Sequence, residues 1–483
     1  QKRRKEKKDN TILFSELLAG VGSLTKRARI FILGIYMAVM GTNVVRGLLF
    51  DPGNVISERE KISYKPAISE QTRRARAYLD KAEKLGEPLT ITAHLRGLDG
   101  PGSSLDLPEF QKTLTEKGAR LLVDIPSTLT FASEFAAKIR FELLEDGDVV
   151  EYVAPDYGIT EDNPYRVRNK VRLIEDPSRP GVMVTPHGMK DAPAYIFANL
   201  FGIRGVRIIC EEVSPMALAG GMESSNAFMV ALLAGASMLS GRNLTWAEIF
   251  REAVRLENQE FRGLTGGQGH LASILGGIYR HIWQSGKKDR KGNLINPYGA
   301  FSIPVKVDRE SVESHMALVQ AGKKYKDGKA EIARTAELIN TMWTDLLRDR
   351  DGIGYPLHKE KIGLTAKYNK ALMEGDWEGV VSLVNRYVEI RDEICKRWLD
   401  LAIRASKGEE VPEYAQKYGK RFKEDGVLQQ FYRKHADNLS EISLYTYEPI
   451  SSLVEAARKD GNIAIMPLGA GGPGANLIAI SSM

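Results

Sequence analysis

Apolar and polar positions change rhythm several times along the chain, and each change predicts an element. Glu70–Leu85 (EQTRRARAYLDKAEKL) reads as a charged helix, and Leu89–Leu95 (LTITAHL) alternates like a strand. From Leu121 the pattern turns to strands, LLVDIPSTLTF and then AKIRFELLEDGDVVEYV, with a turn at Glu145-Asp146-Gly147. Asp191–Leu200 (DAPAYIFANL) reads as a helix leading into Gly205–Cys210 (GVRIIC), an apolar run with the look of a buried strand. Met229–Leu239 (MVALLAGASML), rich in Ala, Leu and Met, predicts a buried helix. Thr245–Phe261 is an amphipathic one: Ile249, Ala253, Val254 and Leu256 form its core face, while Glu252, Glu257 and Glu260 face a site or water.

Between the apolar run at Gly205–Cys210 and the helix at Met229 lies Ser214–Phe228, SPMALAGGMESSNAF. Strand, glycine loop and helix together bring free backbone N–H groups and a positive helix end to one place, where an anion is held. Gly220 and Gly221 allow close backbone approach, and Ser224, Ser225 and Asn226 bring hydroxyl and amide groups to the helix start. A second glycine turn, Met466–Ile480 (MPLGAGGPGANLIAI), crowds Gly469, Gly471, Gly472 and Gly474 between apolar segments. No G-K-[ST] follows it, so it is not a Walker loop, and it lacks the acidic residue and βαβ spacing of a dinucleotide fingerprint.

Composition narrows the class. With 483 residues, 43% hydrophobic and 27% charged, the chain has the balance of a soluble globular protein of two or three domains. Much of the net charge of +6 sits in Gln1–Lys8 (QKRRKEKK), a solvated end, so neither nucleic acid nor membrane is expected as a partner. Ile30–Val45 is shorter than the roughly 20 residues of a membrane span and predicts a buried helix, with no signal-peptide cleavage pattern after it. Cys210 and Cys395 lie far apart in neither metal nor redox spacing, which points to a reducing, cytoplasmic setting. The start at Gln1 suggests an excised domain or a processed product. His94, alone in its strand, reads as structural.

The two glycine segments, taken as a pair, resemble motifs two and three of the GHMP small-molecule kinases. Gly221-Met222-Glu223-Ser224-Ser225-Asn226-Ala227 falls on the end of P-x-x-x-G-S-G-L-G-S-S-S-A, with Pro215 on its first residue. Gly469-Ala470-Gly471-Gly472-Pro473-Gly474 falls on G-A-G-G-G-G. The family's first motif is placed at Ile125–Ala137, where Pro126 and Ala132 match but Thr128, Ser133-Glu134 and Ala137 replace its Arg, glycine pair and Asp. Gly266–Gly277 (GGQGHLASILGG) is similar to the sugar-kinase segment G-G-x-Q-D-Q-Y-x-A-x-x-G-G. Anchored on Gly276-Gly277, Gln268 takes the family's Gln and Gly269 its catalytic Asp; counted from Gly266-Gly267, His270 takes the Asp. Met316–Tyr325, the helix pair of Lys367–Ile394 and the Tyr447–Ala464 segment resemble the heptose-phosphate kinase and fucokinase branch, with Asp345–Glu360 and Ser406–Asn438 as insertions.

The resemblance implies a two-domain fold, α/β and then α+β: an N-terminal extension over 1–120, a GHMP N-terminal-like domain over 121–304 and a C-terminal-like domain over 305–483. It implies ATP and Mg²⁺ as cofactors and a small hydroxylated substrate, a sugar or sugar phosphate, with a homodimer left open. The nucleotide would rest on Gly220, Gly221, Met222, Glu223, Ser224, Ser225 and Asn226, and on Gly469, Ala470, Gly471 and Gly472. Ser225 and Glu257 would hold the metal, a hard cation that takes carboxylate and hydroxyl oxygens. His270 and Ser225 are the catalytic candidates, and Ser133, Glu134, Gln268 and Gly471 the substrate contacts. Ala137, Glu223 and Gly269 together support a rival expectation: the same fold with altered or lost kinase chemistry, as a regulatory pseudo-enzyme or in a different reaction on a phosphorylated ligand.

Overall fold

The computed structural model describes residues 68–101, 127–155, 158–176, 181–211, 224–261, 265–283, 300–320, 325–326, 329–347, 349, 352–437, 439, 443–446, 450–468 and 476–483. The basic start Gln1–Lys8, the run Ile30–Val45, Gly220–Glu223 and Gly469–Gly472 lie outside them. All the described residues belong to one compact unit, Asp51–Met483.

The first half is built on a seven-stranded sheet: β1 (Leu89–Asp99), β2 (Ser127–Leu143), β3 (Val149–Val153), β4 (Tyr165–Arg168), β5 (Val206–Cys210), β6 (Ile278–Trp283) and β7 (Ala300–Pro304). Its order is β4-β3-β5-β2-β6-β7, with β1 also paired to β2. The long β2 is the organiser. β1 runs antiparallel along it, its first five residues spend themselves on β6, and its last five on β5. Alternation explains why that strand holds: Ala137, Ile139 and Phe141 are buried while Arg140 and Glu142 turn toward solvent. The segment taken from the sequence as part of an N-terminal extension thus contributes β1 to this sheet.

Helices α1 (Ile68–Lys84), α2 (Ser224–Ser240) and α4 (Gln268–Leu275) pack on β2, α2 and α4 also on β1, and α3 (Trp246–Gln259) packs on α2 and α4. Buried almost throughout, α2 lies so close to β2 that a Cβ on Gly235 would stand 2.3 Å from Phe141 Cζ. Only a residue without a side chain permits that approach. Thr245 starts α3 with a capping box, its side chain accepting from Glu248 N while Glu248 reaches back to the Thr245 backbone. The expected helix at Asp191–Leu200 is present in three pieces, a 3₁₀ turn Gly188–Asp191, a short α-turn Ala192–Ala194 and a π-turn Tyr195–Leu200.

After α5 (Arg309–His315) comes a smaller antiparallel sheet, β8 (Met316–Gln320), β9 (Ile463–Pro467) and β10 (Asn476–Ser481), in the order β8-β10-β9. Between β8 and β9 the described residues form a short hairpin, Tyr325–Lys326 with Lys329–Ala330, and then the helices α6 (Glu331–Leu346), α7 (Gly354–Glu374), α8 (Trp377–Lys407), α9 (Gln416–Glu424), α10 (Gly426–His435) and α11 (Ile450–Asp460). The expected helix pair is α7 and α8, and the expected turn of the second glycine segment falls between β9 and β10, outside the described residues. Asp349, on one sequence insertion, accepts from Gly354 N at 3.0 Å and from Arg397 Nε at 3.4 Å, and is hydrogen-bonded by the Tyr414 hydroxyl from the other insertion. These two segments, expected as insertions, meet each other and α8 through Asp349. Thr365 Oγ1 on α7 donates to Pro101 O at 2.7 Å, tying these helices to the end of β1. Among the described residues, no helix is long and apolar enough to cross a membrane.

Candidate functional site

Three helices of the first half bring one predicted residue each to a common point. α2 opens at Ser224, so Ser224, Ser225 and Asn226 make its first turn. That position leaves backbone N–H groups without intrahelical partners and carries the positive end of the helix dipole. Ser224 and Ser225 are half-buried, and Asn226 is buried. On α3, Phe250, Ala253, Val254 and Glu257 follow the 3.6-residue repeat, so the stripe that buries the helix carries a carboxylate into the interior. α4 starts at Gln268 and places His270 in its first turn, fully buried. Gly267 allows that start, since a Cβ there would come within 2.9 Å of both Phe250 and Trp283.

The groups meet through Asn226. Its Nδ2 lies 3.0 Å from Glu257 Oε2, 2.9 Å from Thr265 Oγ1, and 3.0 and 3.1 Å from the two ring nitrogens of His270. A donor equidistant from both imidazole nitrogens stands over the ring and not along one lone pair. The in-line partner of His270 is Glu257: Nε2 sits 2.8 Å from Oε2. A carboxylate offers only lone pairs, so Nε2 carries the hydrogen and donates. Phe250 closes the ring from its edge at 6.4 Å between centroids. Thr265 is itself held, its N–H donating to Asn258 Oδ1 and its carbonyl accepting from Asn258 Nδ2. Each buried hydrogen bond here contributes about 0.5–1.5 kcal/mol net, and leaving one partner stranded costs about 1–3 kcal/mol.

The other glutamates of α3 have a different task. Arg255 pairs with Glu252 at 2.6 Å and Glu260 at 2.5 Å. Burial pushes the Glu260 carboxyl up despite that arginine, and burial followed by Glu260 itself pushes the Tyr195 hydroxyl to about 12. These are packing interactions behind the site. Further along, His281 on β6 is fully buried between Thr130 Oγ1 and Ser302 Oγ, each at 2.8 Å, and burial pulls its pKa down to about 3.

The residues expected to contact substrate are dispersed. Gln268 is buried at the start of α4. Ser133 lies on β2, where its hydroxyl donates to Leu95 O at 3.0 Å and Phe135 O at 3.3 Å. Glu134 is solvent-facing and ion-paired with Arg309 at 2.8 Å. Ala137, set against the family's sugar-contacting Asp, is 1% exposed inside the sheet core. Sequence reasoning passed over Thr265, which stands beside Gly266-Gly267 with no periodicity to mark it, and Asn258, a polar residue near the end of α3 with nothing to set it apart from a solvent-facing one. It also passed over Arg96, 1% exposed at an irregularity in β1 opposite Ala132; a cation in the strand LTITAHLRGLD was the available signal. Among the described residues, no group of three or more His, Cys, Asp or Glu side chains converges in a way that would hold a metal. Of the two expected metal ligands, Glu257 is buried at this junction and Ser225 is half-buried in the first turn of α2.

Residues 190–277 match the family model of the GHMP kinases N terminal domain. That segment, a minority of the chain, holds α2, α3 and α4 together with Asn226, Glu257 and His270, and there the chain resembles this family as its motifs imply. Among solved structures it is similar to a D-glycero-D-manno-heptose 1-phosphate kinase from Bacteriodes thetaiotaomicron, with 15% identity over 63% of this chain and 79% of that one and a TM-score of 0.41. It is similar also to Lactococcus lactis galactokinase complexed with galactose, with 12% identity over 84% and 90% and a TM-score of 0.48. A third is the L. major mevalonate kinase in complex with R-mevalonate, with 12% identity over 82% and 88% and a TM-score of 0.44. No curated protein matches the chain in sequence.

Proposed function

We propose that the chain transfers the terminal phosphoryl group of ATP to a hydroxyl of a small metabolite, a sugar or sugar phosphate. The observation that supports this is the junction between the first turn of α2 and the buried Glu257, 3.0 Å from Asn226 to carboxylate, inside the segment that matches the kinase family. In this reading 121–304 and 305–483 are the two lobes, with Gly220–Asn226 and Gly469–Gly472 shaping the nucleotide site between them.

The residues present fit a divalent cation. Glu257 gives a hard oxygen donor whose Oε2 is already oriented by Asn226 and His270. A carboxylate has about four lone-pair sites, so those two donors leave it further acceptor capacity. Ser225 adds a hydroxyl. When bound, Mg²⁺ would neutralise phosphate charge as transfer proceeds. The chain's own contribution is positional: backbone N–H groups and the dipole of α2 attract phosphate, and Ser224 and Ser225 hydrogen-bond it. Phosphoryl transfer depends mainly on such positioning and electrostatic stabilisation, which is why the chemistry tolerates the replacement of the family's Asp by Gly269.

Calorimetric titration with ATP, with and without Mg²⁺, tests the reading, followed by turnover on a panel of sugars and sugar phosphates. Binding that strengthens with Mg²⁺ and turnover on at least one sugar are expected. Ser225→Ala and Glu257→Gln should each lower turnover roughly tenfold or more, and unchanged rates would remove both from the metal site. The rival, a GHMP-like fold without kinase chemistry, is favoured by the full burial of His270, which keeps that ring from any bound hydroxyl. It predicts no turnover on any sugar.

A further inference from the structure

We propose that His270 is a positioning residue, which fixes Glu257 and the first turn of α2 relative to each other and takes no proton from substrate. The proposal rests on the reading of this site as a metal–nucleotide site and assigns the role of one residue within it.

A general base has to come within about 2.6–3.2 Å of the proton it removes, directly or through one water. The His270 ring is fully buried, with Phe250 against its edge and the Asn226 amide over its face. Its Nε2–H is committed to Glu257 at 2.8 Å. Every one of these contacts runs to another helix of the same lobe. Asn226 comes from α2, Glu257 from α3 and His270 from α4, so the imidazole joins three elements beside the place where α2 begins. A carboxylate that is to hold a cation works best with its plane fixed by hydrogen bonds from behind, and outer partners of this kind typically change metal affinity by about 10–100-fold. His270 supplies the charge-complementary N–H, and Asn226 adds a second donor to the same oxygen at 3.0 Å. Asn226 stands where the family's second motif has a third serine, so the amide and the imidazole form a set that this chain's sequence carries in place of the motif residues.

The two roles separate experimentally. His270→Gln keeps an N–H donor near the position of Nε2 and removes the titratable ring, while His270→Leu removes both. Three quantities are read on the full chain: Mn²⁺–ATP affinity by calorimetry, turnover on any sugar found to react, and amide hydrogen exchange at Phe228–Val230, the first N–H groups with acceptors in the opening turn of α2, without ligand. A positioning role predicts that His270→Gln stays within about threefold of wild type in Mn²⁺–ATP affinity. It predicts that His270→Leu loses roughly 10–100-fold and exchanges faster at Phe228–Val230. Loss of turnover by about 10²–10⁴ in both variants, with affinity and exchange as in wild type, overturns it in favour of a base. Should His270→Leu fail to fold, Asn226→Ser removes the bridging amide while leaving α2 intact and is read by the same affinity and exchange. If wild type shows no Mn²⁺–ATP heat, the nucleotide reading falls, and the ligand-free exchange comparison alone decides whether His270 orders the start of α2. Equal exchange in wild type and His270→Leu then overturns the positioning role as well.

Discussion

His281 shows what a buried titratable group does when no charged partner meets it. Its ring lies between Thr130 and Ser302 hydroxyls, and burial holds its pKa near 3 against about 6.5 in an unfolded chain. The native state therefore refuses a proton that the unfolded state accepts below pH 6.5. The stability this group contributes is present above pH 6.5 and is lost as pH falls toward 3, at about 1.4 kcal/mol per pH unit. His358, also pulled down by burial and then by Lys361, adds a slope of the same sign. Comparing wild type with His281→Gln cancels that second histidine. Urea unfolding at several pH values between 7 and 4.5 should give a shallower acid slope in the variant, by about one proton; parallel slopes would show that His281 is not held neutral. This residue was invisible in the sequence, because IYRHIW shows neither its neighbours across the sheet nor its burial. Glu257 was half-legible. The repeat that buries Phe250, Ala253 and Val254 also includes position 257, yet a glutamate there was equally consistent with solvent.

At the scale of elements, α2 and β2 decide the first half, and the sequence treated them unequally. The run Met229–Leu239 is apolar on every side and announces a buried helix, and it is one. The 17-residue β2 was not legible as one strand, because only its C-terminal half alternates cleanly while the first five residues are all buried. Helices α1, α2, α4 and α7 all pack on β2, and a strand covered in this way lacks the polar face that makes it recognisable. Ser133 and Glu134, set against the family's glycine pair, lie within this strand. The contact between the two elements gives a sharp test. Gly235→Ala gains about 1 kcal/mol of helix propensity, but its Cβ would stand 2.3 Å from Phe141 Cζ. Phe141 is 1% exposed and stacked on Phe197 at 5.5 Å, so the ring has nowhere to go. Overpacking of this kind costs about 1–3 kcal/mol or more, and a net loss of stability is expected in thermal or urea melts. A gain would mean that α2 and β2 stand further apart in solution.

For the whole molecule, the hydrogen bond from Thr365 to Pro101 and the packing of Tyr368 against Gly100 join the C-terminal helices to the end of the sheet. Such ties, with all the described residues in one compact unit, couple the two sheets in unfolding. Ligand linkage can then be read on the entire chain. A ligand that binds only the native state at 100 times its Kd adds about 2.7 kcal/mol. With an unfolding entropy of about 2.1 cal/mol/K per residue, that is a rise in Tm on the order of 3 °C. If the first turn of α2 and Glu257 belong to a metal–nucleotide site, the rise should need ATP and Mg²⁺ together, because phosphate charge brought to a buried carboxylate repels it unless a cation lies between them. Glu257→Gln removes that repulsion along with a metal ligand, so its shift with ATP should become insensitive to Mg²⁺, whereas wild type should respond strongly. A Mg²⁺-independent shift in wild type would place the nucleotide away from Glu257, and the carboxylate would then serve only the packing of His270 and Asn226.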